Sequence, residues 1–377
     1  MSRQKSFGRF RFAAASILLT ALLFVLPAVR NGNASLYLLA VLLPCVLFLS
    51  ETVLARMFSL DRMIIAIVLW LCTAGIAAFA PSDPDAAVAQ SLRCGAAVVA
   101  LLIGGIMIRS LSPSLLTSAC TAFLGTLLLA GKLFSPVLTL PLTEAALALL
   151  LIAFASLFAR QGPVSALLLG GAGLMLLLLH GDTADAAVWG LTVLLLAFAA
   201  DGRLVVLIPA MAVMLLLFWV TFRLFPLPGI SQDSSVLSVL VSSGAVGADL
   251  LPEGLASLDA GSLFPRLSGH YGLIFAGLTA LLYLPLTLRG TSVAVSARTR
   301  FHAVMAMGVA MLIALRALAA LLCSFGFLSM AGLRLPFMTD SLPDLCAQMF
   351  LVGLLCGISG QNDADLAEDA HLAMLAR

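Results

Sequence analysis

The chain has 377 residues, of which 62% are apolar and 10% are charged, and its formal net charge is +2. These values exclude a water-soluble globular protein, because too few polar residues are available to cover its surface, and they offer no basic excess for nucleic acid. A membrane-spanning helix needs roughly 20 apolar residues, and nearly every stretch between two charges reaches that length. The sequence therefore predicts an all-α, polytopic membrane protein with about twelve spans.

The predicted spans follow one another through mostly short connections, which favours antiparallel neighbours in a helix bundle. They cover approximately residues 11–29, 35–55, 62–80, 94–109, 113–131, 143–159, 163–180, 184–200, 204–222, 270–288, 301–325 and 344–359. A membrane β-barrel is excluded, because the alternation of apolar and polar residues that its strands require is absent.

One connection, residues 223–269, is much longer than the others and contains an apolar segment, Val236 to Val241. Loops of this length in compact proteins are usually functional or disordered. We expect a re-entrant or interfacial helix that lies over a cavity. A loosely ordered surface loop is the alternative.

Lysine and arginine residues predict the orientation, because they are enriched in cytoplasmic loops. With the amino terminus in the cytoplasm, thirteen of them fall on the inner side, six fall on the outer side, and Arg316 lies within a span. Both termini are therefore predicted to be cytoplasmic, and the 223–269 loop is predicted to be external.

Short polar motifs occur in a defined order along the chain. They are Asp61, Gln90, Gly131-Lys132, Pro141-Leu142-Thr143-Glu144, Asp182-Thr183-Ala184-Asp185-Ala186, Ser242-Ser243-Gly244, Gly272, Tyr283, Leu288-Arg289-Gly290 and Gly332-Leu333-Arg334-Leu335-Pro336-Phe337. In order and spacing they resemble the SEDS family (shape, elongation, division and sporulation), which includes RodA and FtsW. The resemblance covers about residues 61–359 and implies a ten-helix core. Residues 1–60 would add a basic segment and two helices, and residues 360–377 an acidic cytoplasmic tail.

The resemblance implies a protein of bacterial cell-wall synthesis in the cytoplasmic membrane. Such proteins polymerise glycan strands from lipid II, the undecaprenyl-linked disaccharide-peptide, at the outer face, usually beside a class B penicillin-binding protein. An active enzyme of this kind would be an inverting glycosyltransferase that uses a divalent cation, such as Mg²⁺ or Mn²⁺. Two alternatives remain open, which are a catalytically inactive scaffold or regulator and a polytopic lipid flippase or transporter.

The chain departs from the family at a catalytic position. The family has a loop aspartate in a D-P-x-G context, whose register falls near Pro226-Leu227-Pro228-Gly229, and no acid is present there. Asp233 is the nearest carboxylate and is our candidate for a displaced catalytic acid, although it could equally cap a loop helix. A family lysine is also replaced, by Leu147.

Glu144 is the strongest catalytic candidate, because it stands at the outer end of a span and a long apolar run follows it. A carboxylate inside a membrane needs a cation or a water-filled cavity. Glycosyl transfer needs a base for the attacking hydroxyl and cations for the pyrophosphate leaving group, so Glu144 could position a base or a metal. The alternative is a favourable interaction with the helix dipole.

Four further residues are candidates for substrate binding. Asp182 begins a span, matches a family motif and shares a helix face with Asp185, although capping is an alternative role for it. Arg316 lies deep in a span, so it must face the bundle interior, where it contacts pyrophosphate or forms a structural pair. Arg334, on the outer side, suits phosphate binding but could simply be solvated. Lys132 belongs to a motif of the resemblance.

Overall fold

The computed structural model describes residues 17–30, 32–134, 142–202, 204–224, 242, 244–245, 263–328 and 333–375. Within these residues all regular secondary structure is helical, which confirms the predicted all-α fold. The helices are α1 (Ile17–Arg30), α2 (Ala34–Leu49), α3 (Arg62–Ala77), α4 (Pro84–Ser110), α5 (Leu115–Phe134), α6 (Thr143–Gln161), α7 (Pro163–His180), α8 (Thr183–Asp201), α9 (Leu204–Leu224), α10 (Leu263–Leu281), α11 (Tyr283–Ser296), α12 (Arg300–Ser324) and α13 (Leu342–Leu375). The apolar loop segment 236–241 and Asp233 lie outside the described residues.

The helices match the predicted spans in number. In the described part of the chain, seven stretches are long and apolar enough to cross a membrane, with α10 and α11 counted together, and five shorter apolar helices accompany them. Large apolar side chains such as Leu116, Leu168 and Val205 are exposed on the outside of the bundle. Exposed apolar surface of this kind suits lipid as the solvent.

Three predicted spans are shorter than the observed helices. The span predicted at 270–288 corresponds to α10 and α11, which together cover 263–296, so the long loop ends before residue 263 and not at 269. Helix α4 begins at Pro84, ten residues before the predicted start, because Asp83 accepts a hydrogen bond from the N–H of Ala86 at 3.0 Å and proline suits the first helical turn. Helix α13 continues to Leu375, so it runs through most of the segment that the sequence assigns to an acidic tail.

Helices α4 and α13 cross closely, and glycine makes this approach possible. A Cβ atom at Gly353 would lie 2.1 Å from the carbonyl oxygen of Leu101, and one at Gly104 would lie 2.4 Å from that of Phe350. Small residues commonly bring membrane helices together in this way, because van der Waals packing replaces the hydrophobic effect in lipid. The crossing fixes the position of α13, which carries the buried polar residues Gln348 and Asn362.

Helix α10 is broken at Gly272, whose φ of 85° and ψ of 163° are not helical. The break frees two N–H groups, and the loop supplies their acceptors. Leu273 donates to the carbonyl of Gly244 at 3.1 Å, and Ile274 donates to that of Ala245 at 3.3 Å. Backbone groups in a membrane must be satisfied within the protein, so this part of the long loop is anchored at the kink.

The connection between α12 and α13 enters the bundle. We call residues 333–341 the re-entrant loop, because Phe337, Met338 and Thr339 are buried. Phe337 has a φ of 66°, which a residue with a side chain rarely adopts. Gly75 of α3 lies beside the loop, and a Cβ atom there would be in ordinary van der Waals contact with the Cα atom of Met338, at 3.4 Å.

Candidate functional site

Arg316 of α12 is buried among helices and pairs with two carboxylates. Its Nη1 atom is ion-paired with Oε2 of Glu144 on α6, and its Nη2 atom is ion-paired with Oδ1 of Asp185 on α8. The arginine therefore faces the bundle interior, as the sequence predicts, and one guanidinium joins three helices. A charge within a span is costly unless it is paired, so this arrangement marks a candidate functional site.

Gln348 of α13 completes the group. Its side chain is buried, its Nε2 atom donates to Oε1 of Glu144 at 3.1 Å, and its Oε1 atom accepts from the N–H of Phe337 at 2.6 Å. We call Glu144, Asp185, Arg316 and Gln348 the Arg316 cluster. It brings together α6, α8, α12 and α13 beneath the re-entrant loop.

The positions of the two carboxylates follow from local helix structure. Glu144 and Asp185 each lie in the first turn of a helix, where a negative charge is favoured by the helix dipole. Asp182 occupies the N-cap position of α8, and its side chain makes no capping hydrogen bond. Of the two aspartates on this helix face, Asp185 is the partner of Arg316, whereas the sequence favoured Asp182 for substrate binding.

The Arg316 cluster is closed on one side and partly open on the other. The side chain of Arg316 is 5% exposed and that of Glu144 is 10% exposed, whereas that of Asp185 is 23% exposed. With both carboxylates ionised, the cluster has a formal charge of −1. A ligand would therefore approach from the side of Asp185, and a pyrophosphate there would compete with two carboxylates for the guanidinium.

Arg334 lies in the re-entrant loop and is more accessible. Its Nη1 atom is 2.9 Å from Oδ1 of Asp340, and the two side chains are 39% and 25% exposed. A guanidinium has five N–H donors, so Arg334 retains donors for a further anion. Lys132 lies near the end of α5, but its side-chain position is outside the described structure, as is all of Asp233.

A resident metal ion does not fit the part of the site that the structure describes. Within those residues, no group of three or more His, Cys, Asp or Glu side chains could hold a metal ion. Between Glu144 and Asp185 the position of a cation is already taken by the guanidinium of Arg316. The predicted divalent cation therefore depends on Asp233.

A second polar group, the Asp61 cluster, lies at the opposite end of the helices and consists of Asp61, Arg289 and Ser359. Oδ2 of Asp61 accepts from Nε of Arg289 at 2.7 Å and from the hydroxyl of Ser359 at 3.1 Å. Oδ1 of Asp61 caps α3 by accepting from the N–H of Met63 at 2.9 Å. Two motifs of the resemblance, those at Asp61 and Arg289, thus meet in space.

One segment of the chain matches a known protein family. Residues 260–364 match the FtsW/RodA/SpoVE family of cell cycle proteins. This segment includes Arg316, the described re-entrant loop and Gln348. No curated protein sequence matches the chain significantly.

Solved structures resemble the chain over most of its length. One is a chain from a study of the structural coordination of polymerization and crosslinking by a peptidoglycan synthase complex, with 20% identity, a TM-score of 0.61, and coverage of 80% of this chain and 98% of that one. Another is the rod shape determining protein RodA of Thermus thermophilus, with 19% identity, a TM-score of 0.59, and coverage of 80% and 97%. At this identity the likeness concerns the fold.

Proposed function

We propose that this chain is a SEDS-type membrane protein of bacterial cell-wall synthesis, which binds lipid II at the outer face of the cytoplasmic membrane and polymerises its glycan. The family match over residues 260–364 and the fold shared with RodA support this proposal. The observation that carries the proposal is the buried Arg316 cluster beneath a re-entrant loop. Arg316, the loop and Gln348 all fall within the segment that matches the family. A class B penicillin-binding protein is the expected partner.

The proposed reaction is a glycosyl transfer. A hydroxyl of the acceptor sugar attacks the anomeric carbon of the donor, a new C–O bond forms with inversion, and the C–O bond to the lipid pyrophosphate breaks. The hydroxyl proton passes to a base, for which Asp233 is our candidate. Arg334 has free donors for the pyrophosphate, and Glu144 holds Arg316 in place within the site.

A polymerisation assay on purified protein tests this function, with and without the cognate penicillin-binding protein. We expect glycan product from the parent protein and loss of product in Glu144→Ala and Asp233→Ala. Asp249→Ala is the matched control, because it removes another carboxylate of the same external loop and should retain activity. Activity that survives Asp233→Ala would refute the displaced acid.

The same assay tests the predicted cation. We expect a chelator to abolish product formation and added Mg²⁺ or Mn²⁺ to restore it. Full activity in the presence of the chelator would exclude a metal-dependent reaction.

A scaffold that binds lipid II without polymerising it is the second candidate. It is favoured by one specific observation, which is that Glu144 and Arg316 are bound to each other instead of facing the opening as separate groups. A protein that binds lipid II in vesicles but gives no product with its partner would support the scaffold.

A further inference from the structure

Gln348 connects two parts of the molecule that are far apart in sequence. Its Nε2 atom donates to the carboxylate of Glu144, and its Oε1 atom accepts from the backbone N–H of Phe337 in the re-entrant loop. All three residues are buried. A buried polar group that loses its partner costs free energy, so both bonds constrain the loop relative to the Arg316 cluster.

The chemistry of the two bonds requires an amide. A carboxylate accepts only, and a backbone N–H donates only, so the bridging side chain must donate on one side and accept on the other. Glutamine does this in a single orientation. Methionine at this position would satisfy neither group, and glutamate would place a second carboxylate beside Glu144.

The re-entrant loop has two other polar anchors, on both sides of Phe337. The hydroxyl of Tyr283 donates to the carbonyl of Pro336 at 2.5 Å, and Nε2 of Gln90 donates to the carbonyl of Thr339 at 2.6 Å. These anchors hold the loop to α11 and α4. Among these three contacts, only the one from Gln348 leads to the charged cluster.

We infer that Gln348 is a positioning residue, which couples the Arg316 cluster to the re-entrant loop and thereby sets the place of Arg334 and Asp340, the accessible ion pair of that loop. Its effect on lipid II rests on the proposed function. Its effect on the loop does not, and the two can be measured separately.

The first measurement is the accessibility of the loop. Thr339→Cys introduces a thiol of similar size at a buried position of the loop. In detergent, the rate at which a charged thiol reagent labels this cysteine reports its exposure. Labelling of the parent protein gives the background from the native cysteines. We expect slow labelling of Thr339→Cys alone. Adding Gln348→Met should accelerate labelling at least tenfold, and Gln348→Asn, whose shorter amide cannot span both partners, should do the same.

A matched control lies on the same helix. Asn362 is also a buried amide of α13, and its Nδ2 atom donates to the carbonyl of Val293 and the hydroxyl of Ser296, each at 3.0 Å. It is about 21 Å from Gln348 along the helix. Asn362→Leu should leave the labelling rate of Thr339→Cys unchanged, since it removes a buried amide without touching the loop.

An exchange of the two side chains distinguishes positioning from general damage. Gln348→Glu alone should expose the loop, because two carboxylates then face each other. In the double variant Glu144→Gln with Gln348→Glu, the amide at 144 donates to the carboxylate at 348, which still accepts from Phe337. We expect protection of Thr339→Cys to return in the double variant, while polymerisation, which needs the carboxylate at 144, stays lost.

The consequences for substrate form the final step of the test. Gln348→Met should raise the KM for lipid II at least fivefold, and in Arg334→Ala it should cause little further change, because both act through the same guanidinium. Unchanged labelling in properly folded Gln348→Met and Gln348→Asn would overturn the inference. Increased labelling with rescue by the exchange, but with an unchanged KM, would uphold the loop coupling and count against the proposed use of Arg334.

Discussion

The two polar clusters at opposite ends of the bundle differ in how they stabilise an arginine within the protein. Each joins an arginine to an aspartate on another helix, yet the side chain of Arg316 is 5% exposed and that of Arg289 is 40% exposed. Arg316 has two carboxylate partners, whereas Arg289 is bound to one. The buried arginine needs a complete set of partners, because neither water nor lipid headgroups can reach it.

This difference separates a structural pair from a candidate functional site. Asp61 has a structural role, since it caps α3 and connects that helix to α11 through Arg289 and to α13 through Ser359. The Arg316 cluster places three ionisable groups where removing each from water costs several kcal/mol. Apolar side chains would stabilise this part of the fold more simply, which is why we assign the Arg316 cluster a role in function.

The position of each cluster relative to the membrane can be tested by cysteine labelling. We expect each introduced cysteine either to be labelled fully in intact cells or not to be labelled at all. Ser257→Cys in the long loop should react with an impermeant thiol reagent in intact cells, whereas Ala297→Cys, between α11 and α12, should react only after permeabilisation. These results would place the Arg316 cluster at the outer face and the Asp61 cluster at the inner face. The reverse pattern would invert the assignment and exclude an external site for lipid II.

Arg316→Leu should have the largest effect on stability. It leaves the buried Glu144 and the partly buried Asp185 without their cation, and breaking a buried pair costs roughly 3–5 kcal/mol. We expect a clearly lower melting temperature in detergent and only partial recovery in Arg316→Lys, because lysine lacks the fork that reaches two carboxylates. An unchanged melting temperature for Arg316→Leu would mean that the guanidinium is solvated.

Asp61→Ala should have an intermediate effect. The loss of a helix cap costs about 1 kcal/mol, and the partners Arg289 and Ser359 lose their acceptor as well. Asp61→Asn is the matched control, since its side-chain oxygen can still cap α3 while the charge is lost. We expect Asp61→Asn to melt between the parent and Asp61→Ala, and equal melting of the two variants would show that the cap contributes nothing.

The spans were predictable because the thickness of the lipid sets the length of an apolar helix. The prediction missed the beginning of α4, where Asp85 and Arg93 interrupt the apolar run although the helix already starts at Pro84. The start of this helix is indicated instead by the capping residue Asp83 and by proline in the first turn. The hydropathy signal ends where the apolar run ends, so it also missed the continuation of α13 to Leu375.

The site was partly predictable from charge. Arg316 in a span required an acidic partner, and Glu144 was already a candidate. The choice between Asp182 and Asp185 depends on the rotation of α8 against α12, which the sequence does not contain. Gln348 was missed because a neutral amide in an apolar helix carries no charge signal. Its need for hydrogen-bond partners in lipid was the available clue.

Arg289→Ala should change the melting temperature least, and its dependence on salt would distinguish the Asp61 cluster from the Arg316 cluster. The side chain of Arg289 is 40% exposed although that of Asp61 is only 6% exposed, so water reaches the pair from the arginine side. Ion pairs that water reaches contribute little, roughly 0–1 kcal/mol, and salt screens them. We expect the melting temperature to fall slightly at low salt and to match the parent at high salt, while Arg316→Leu stays destabilised at both. Asp61 remains hydrogen-bonded to Ser359 and to the first turn of α3, so it is not left without partners in Arg289→Ala. A loss in Arg289→Ala as large as that in Arg316→Leu and independent of salt would show that the Asp61 cluster behaves as a buried site.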